Sequence, residues 1–329
     1  MTKAIGWWTP PVGVGVGYGY TAVSMIEALQ RKGVKVWYDG REQKVHVSFV
    51  QPQMYRGSNE QFRVGFTPWE STEIPESWVQ IMQGMDEIWT TSEFCKEVFE
   101  SYNVNDVIRN VPHGIDQEVW KITDRFVGGK FRFLHVGGPT ERKGGQKVVD
   151  AFIELFGGND DYELILKTNG PSEARWYKDG KYMGNIRSHP QIKVIEQKLD
   201  TEDLYAVYAR SHCMVYPTNG EGFGCIPFQA IATGMPTIVT NATGCTEYAE
   251  MSMPLNSTPT TGVGIHLGMW VEPDVDHMKE LMLHVTENYN DEKVKAMHSA
   301  NIIHNTRTWD HVADQILEIL GDKVEQLAI

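Results

Sequence analysis

The chain has 329 residues, 41% hydrophobic and 22% charged, and a formal net charge of −13. That length exceeds one ordinary core and suits two soluble globular domains. Residues 1–125 carry 12 Lys and Arg against 16 Asp and Glu, and the remainder carry 18 against 27. Neither half is basic, which disfavours nonspecific binding to a nucleic-acid backbone and leaves only a local patch open.

The opening stretch MTKAIGWWTPPVGVGVGYGY lacks a long apolar run and a small-residue cleavage site, so no secretory leader is expected. No segment reaches the apolar length of a membrane span. Cys95, Cys213, Cys225 and Cys245 make no CxxC pair, and the 11 histidines make no HExxH pattern. Idle thiols in a reducing cytoplasm, and no metal site, are the expectation.

In chain order, KAIGWW reads as a strand, followed by a glycine loop and the helical TAVSMIEALQRKG, closed by Gly33. VKVWYD, VHVSFV and FRVGFT follow as strands, then DEIWTTS with the helix EFCKEVFESYN behind it, then DVIRNVPHGID. A polar break, KITDRFVGGK, precedes a second series: the strand FRFLHV, the helix GQKVVDAFIELFG, and the strands YELILKT and IKVI. The helix TEDLYAVYARS, the strand CMVYPT, a helix from Phe223 and the strand PTIVT continue it, and the tail from Asp274 is helical. Alternating strands and helices predict parallel sheets covered on both faces. The expected class is α/β: two Rossmann-like doubly wound domains, 1–125 and 126–307, with a ligand site in the cleft between them.

The first glycine loop, GVGVGYGY, sits between a strand and a helix, and Asp39 ends the second strand, as in a dehydrogenase. Register rules that out, because the third residue after Gly15 is Tyr18 and after Gly17 is Tyr20, so no GxGxxG exists. Alternate glycines instead let a ligand approach the backbone closely, with Gly17 and Gly19 at the strand-to-helix junction. A surface loop without a ligand is the alternative.

YPTNGEGFGCIPFQA places a strand end, a glycine loop and a helix start in succession. The backbone N–H groups around Gly222, Phe223 and Gly224 can hold an anion. Glu221 would repel a diphosphate head-on but can accept hydrogen bonds from sugar hydroxyls. Gln229 lies about two helical turns further on and can face the same site.

This segment resembles the E-x7-E signature of the retaining family 4 glycosyltransferases, which have the GT-B fold, with Gln229 where the family has its second Glu. LHVGGPTERKGGQKVVDAF resembles the start of that family's second domain. The resemblance, which covers most of residues 84–250, implies that Glu221 contacts the donor sugar, position 229 the ribose, and the 222–224 backbone the diphosphate. It implies that Lys143 neutralises the leaving diphosphate; the family's arginine is Gly138 here, and Arg142 is the candidate substitute. A solvated pair at a helix start is the alternative for Arg142 and Lys143, though cations there oppose the helix dipole. The family's final helix, about 308–329 here, crosses back to the first domain.

On the acceptor side, FTPWESTEIPESW offers Glu70 to orient a hydroxyl and Trp69 to stack on a sugar, against a turn cap and a core tryptophan. His113 in PHGID is read first as a turn histidine and second as a site residue. SEARWYKDGKYMGNIR mixes cations with aromatics and is read as a surface excursion rather than a sugar or base site.

The expected activity is metal-independent, retaining sugar transfer from a nucleotide-diphosphate sugar, a hexosyltransferase with no cofactor. The acceptor stays open among a glycan, a protein, a small molecule and a modified nucleobase, and so does the oligomeric state. A nucleotide-sugar epimerase and an inactive nucleotide-sugar-binding module are the rival readings.

Overall fold

The computed structural model describes residues 2–9, 16–40, 42–125, 128–178 and 180–326. Gly13 and Gly15 of the first glycine loop, and part of the polar break, lie outside them. Contacts divide the chain into a first unit, Met1–Asp116 with Gly262–Met269 and Thr306–Ile329, and a second, Gln117–Thr261 with Trp270–Asn305.

The first unit contains β1 (Thr2–Trp8), α1 (Val16–Arg31), β2 (Lys35–Tyr38), β3 (Val45–Phe49), β4 (Phe62–Phe66), α2 (Glu76–Gln83), β5 (Glu87–Thr90), α3 (Glu93–Ser101) and β6 (Ile108–Asn110). Its strands run parallel in the order β2-β1-β3-β4-β5-β6. The second unit contains β7 (Phe131–Val136), α4 (Gly145–Phe156), β8 (Tyr162–Lys167), β9 (Arg175–Lys178), β10 (Lys181–Asn185), β11 (Ile192–Ile195), α5 (Thr201–Ala209) and β12 (Cys213–Tyr216). It continues with α6 (Cys225–Ala232), β13 (Thr237–Thr240), β14 (Met253–Leu255), β15 (Ser257–Thr261), β16 (Met269–Pro273), α7 (Val275–Glu287) and α8 (Tyr289–Thr306). The second sheet is parallel throughout, in the order β11-β8-β7-β12-β13-β14. The chain winds outward from β7 on one side and from β12 on the other. Their C-terminal ends therefore flank a switch point, where a doubly wound sheet leaves a crevice.

The strands read as apolar runs because helices cover both faces, and β3, β5, β12 and β13 are buried along their whole lengths. The cation- and aromatic-rich stretch forms the β9–β10 hairpin, with Tyr177 and Tyr182 exposed and their rings 5.8 Å apart.

The last helix, α9 (Trp309–Leu320), belongs to the first unit, and β17 (Glu325–Gln326) pairs antiparallel with the start of β1. Trp309, Val312, Ala313, Ile316 and Leu320 join Ala22, Met25, Ala28 and Leu29 of α1 in one buried cluster. Thr308 and His311 close a capping box at its start. Gly114 makes the close approach possible, since a Cβ there would lie 2.6 Å from the Thr308 carbonyl carbon and the Trp309 nitrogen. The ion pairs Arg31–Asp310 and Lys32–Asp314, both 2.7 Å, are too exposed to add much. Packing carries this helix. Ile316→Ala is expected to cost about 3 kcal/mol in urea unfolding, and Asp310→Ala less than about 0.5 kcal/mol; equal losses would contradict the assignment.

Candidate functional site

Two turns meet at the switch point of the second sheet. The first leaves β7, passes Gly137 and Gly138, and makes a 3-10 turn at Glu141–Lys143 before α4. The second leaves β12 and runs through Asn219, Gly220 and Glu221 to α6. The Asn219 N–H donates to the Arg142 carbonyl at 2.8 Å, and Thr218 Oγ1 lies 3.1 Å from the same oxygen. Gly144 adopts a left-handed φ of 70°, and a Cβ there would lie 2.2 Å from the Pro217 carbonyl oxygen. Only glycine lets the turns close on each other here.

This closure buries Glu221, whose residue is 6% exposed, against two cations. Lys143 Nζ donates to Glu221 Oε1 at 2.5 Å, and Arg142 Nη1 lies 3.2 Å from Oε2 while also donating to the Gly220 carbonyl. The Tyr216 and Thr218 hydroxyls donate to Oε1 at 2.9 and 3.1 Å, and Lys143 Nζ donates to Tyr216 Oη at 2.9 Å. Burial alone would raise the Glu221 carboxyl; Lys143, Arg142 and the hydrogen bonds more than offset it and bring it down to about 2. Glu221 is thus an ionised acceptor at neutral pH.

Two further residues complete the frame. Glu221 N–H donates to Thr243 Oγ1 at 3.0 Å, and Thr243 itself has a φ of 52°, an uncommon backbone for a β-branched residue. His135 donates through Nδ1 to the Val215 carbonyl at 2.9 Å, joining β7 to β12, and its ring stacks on Tyr216. Burial, offset in part by the bond to Val215 and reinforced by Lys143, lowers His135 to about 4, so the ring is neutral.

The helix expected from Phe223 starts at Cys225 instead. Gly224, at φ 86°, breaks the helical path, and its carbonyl accepts from Tyr248 Oη at 2.7 Å. Phe223 is buried against the Phe228 and Tyr248 rings, so its side chain serves packing. Gln229 lies on α6, 6% exposed, with its buried Oε1 lacking a hydrogen-bond partner among the described residues. A cavity of 230 Å³ opens at the first turn, bordered by Gly137, Thr140, Lys147, Thr168 and Ser172; Arg142, Lys143 and Glu221 line no part of it.

The remaining candidates belong to the first unit. Gly17 and Gly19 lie in the first turn of α1 rather than in a loop before it, with Gly17 exposed and Gly19 buried. Trp69 is 2% exposed, packed on Trp78 with its Nε1 donating to the Glu73 carbonyl at 2.7 Å. That ring is core, and the sugar-stacking option fails for want of an open face. His113 is likewise core, edge-on to Phe49 and tilted on Trp309, and burial lowers it to about 3. Glu70 keeps 23% of its side chain exposed and pairs with His266. Reading the sequence misses His266, as it misses His135, Tyr216 and Thr218, because tertiary contacts rather than local patterns bring them in. Among the described residues no group of three or more His, Cys, Asp or Glu could hold a metal ion. No described helix is long and apolar enough to cross a membrane.

Over 121 residues the chain is 30% identical to the serotype-specific mannosyltransferase WbdA of Escherichia coli, covering 36% of this chain and 14% of WbdA. It is 23% identical over 228 residues to putative glycosyltransferase 45 of a Sulfolobus islandicus filamentous virus, covering 65% of this chain and 60% of that one. The chain thus spans less than two thirds of either relative. Among solved structures, sucrose-phosphate synthase from Thermosynechococcus elongatus superposes with a TM-score of 0.72 at 13% identity, over 96% of this chain and 98% of that one. Anabaena HepE, solved with UDP-glucose, gives 0.69 at 12% identity over 97% of this chain and all of that one. The fold is GT-B. The model of family 4 glycosyltransferases in conflict systems matches residues 91–316, well over half of the sequence, and the chain belongs to that family.

Proposed function

We propose that this glycosyltransferase moves a sugar from a nucleoside-diphosphate sugar to an acceptor hydroxyl with retention of anomeric configuration. The observation that carries the reading is the buried Lys143–Glu221–Arg142 cluster at the switch point of the second sheet. A carboxylate held ionised between two cations divides its surroundings by charge. Lys143 and Arg142 suit the diphosphate, on which negative charge builds as the glycosidic bond breaks. Glu221 accepts hydrogen bonds from sugar hydroxyls and keeps its negative charge away from the phosphates. We assign the neutralisation of the leaving group to these side chains, without a metal.

Gln229 fits a ribose. Its buried oxygen lacks a partner among the described residues, and a ribose hydroxyl would supply the missing donor. A neutral amide in place of the family's second Glu holds the diol without adding charge beside the diphosphate. The support for a nucleotide donor is that HepE, which shares the fold, is solved with UDP and with UDP-glucose.

Lys143→Ala and Glu221→Ala are each expected to reduce turnover by at least about 100-fold, the scale of one lost transition-state contact. Near-normal rates in both would overturn the assignment. A thermal-shift screen against UDP-, GDP-, ADP- and TDP-sugars should single out one nucleotide, because a bound donor raises stability by mass action. Gln229→Leu should then weaken that donor about tenfold, the loss of one hydrogen bond, with kcat little changed. The anomeric signal of the product, read by NMR before mutarotation, tests retention; an inverted product contradicts it.

The Glu221 carboxyl lies below its ordinary value of 4.5, so its contribution to stability is complete above that pH and is lost as the pH falls toward about 2. Glu221→Gln should remove this part of the acid-unfolding curve. A variant curve parallel to wild type down to pH ~2 would contradict the ion-pair assignment.

A further inference from the structure

The stretch from Arg175 to Arg187 is locally basic in an acidic chain: Arg175, Lys178, Lys181 and Arg187 stand against Asp179, whereas the whole carries −13. It folds as the β9–β10 hairpin, a two-stranded sheet separate from the six-stranded one. The register sets Tyr182 opposite Tyr177, Gly184 opposite Trp176 and Asn185 opposite Arg175, with an irregularity at Met183. Side chains alternate between faces along a strand, so Trp176 lies on one face and Arg175 and Tyr177 on the other.

The Trp176 face is the anchor. Its ring packs against the second unit's core cluster and edge-on to His189, and Nε1 donates to Ser188 Oγ at 3.0 Å. Gln146, in the first turn of α4, donates through Nε2 to the Arg175 carbonyl at 2.9 Å and accepts from the Arg175 N–H at 3.0 Å. Asn185 Nδ2 donates to the Ser172 carbonyl at 3.1 Å, and the Ile186 N–H to the Ala174 carbonyl at 2.9 Å. The hairpin is fixed at its root while its other face meets solvent.

On that face Tyr177 and Tyr182 are 44% and 61% exposed, with Met183 exposed beside them. The two rings meet at 61°, edge to face, which leaves flat ring surface open to solvent. Arg175 and Lys181 are exposed and make no ion pair among the described residues, and Arg187, bridged to Glu196, keeps 44% of its side chain exposed. A cross-strand aromatic pair steadies a hairpin, but that role calls for neither the open ring faces nor the cations around them.

We propose that the β9–β10 hairpin binds single-stranded nucleic acid, with bases stacking on Tyr177 and Tyr182 and phosphates meeting Arg175 and Lys181. Every base has a π-face, and phosphates recur beside the bases along a strand, so interleaved aromatics and cations match both features at once. A neutral glycan would leave the cations without a partner. A duplex keeps its bases stacked on one another, out of reach of the rings. The surface uses no residue of the Lys143–Glu221–Arg142 cluster, so it stands independently of the nucleotide-sugar reading.

The test is fluorescence anisotropy of the full chain with fluorescein-labelled oligothymidylate at low salt, in the presence of excess UDP to occupy a donor site. Saturable binding is expected. Tyr177→Ala and Tyr182→Ala should each weaken it at least about fivefold, the lower range for one lost base stack, while Tyr177→Phe and Tyr182→Phe keep the ring face and stay within about twofold. Arg175→Gln and Lys181→Gln should each lower the slope of log affinity against log salt by about 0.7, the share of one phosphate on a single strand. The phenylalanine variants and the salt slopes keep the test valid even where an alanine loosens the hairpin. Absence of saturable binding overturns the proposal, as do alanine variants that bind like wild type, or a duplex of the same length that binds as tightly. Binding abolished by Lys143→Ala would move the strand to the donor site, and adsorption to phosphatidylserine vesicles without oligothymidylate binding would make the hairpin a membrane contact; either result overturns it too. Oligothymidylate binding and the UDP thermal shift can each fail without the other, so this surface and the donor site are judged separately.

Discussion

A carboxylate buried between two cations is the interaction on which the second unit's site depends. Taking Glu221 out of water is costly unless charge and hydrogen bonds meet it on every side. Lys143 and Arg142 come from one turn, Tyr216 and Thr218 from the strand and turn that lead to Glu221, and Thr243 from the turn beyond β13. Each partner sits at the C-terminal end of a strand in the second sheet or just beyond it. The strand order brings these ends together, and the glycines at 144 and 224 let the turns approach.

That arrangement explains why an acidic residue occupies a glycine-rich turn that leads into a helix. Without Glu221, Lys143 and Arg142 would face each other as like charges in a poorly solvated crevice. With it, they are held in a fixed geometry before any ligand arrives, and preorganised charge is what stabilises a developing anion at least reorganisation cost. The neutral His135 fits the same logic, since it braces β7 against β12 without adding another positive charge.

Much of this was legible in the residues. Buried parallel strands such as FRFLHV and CMVYPT are continuous apolar runs, and helices such as GQKVVDAFIELF carry a clear apolar face, so the two α/β series stand out. Glycine turns, charge placement and the family resemblance marked Lys143 and Glu221 as candidates, but their direct ion pair depends on two turns far apart in sequence and had no local signal. The pairing of β15 with β16 was not legible, because β15 is short and polar, β16 is short, and neither carries a strong period, and His266 was therefore invisible as a neighbour of Glu70. Trp69 and His113 left two readings open, since an aromatic ring near a strand end can face the core or a ligand; burial decided both for the core. The start of α6 was misplaced because a left-handed Gly224 is a property of backbone angle, which sequence spacing does not reveal.

The most direct test of the central claim is a crystal structure of the protein with UDP or whichever nucleoside diphosphate binds. The account predicts diphosphate oxygens within hydrogen-bonding distance of Lys143 Nζ and of the backbone N–H groups between Gly222 and Gly224. A nucleotide seated elsewhere, with the Lys143–Glu221–Arg142 cluster untouched and out of its reach, would contradict it.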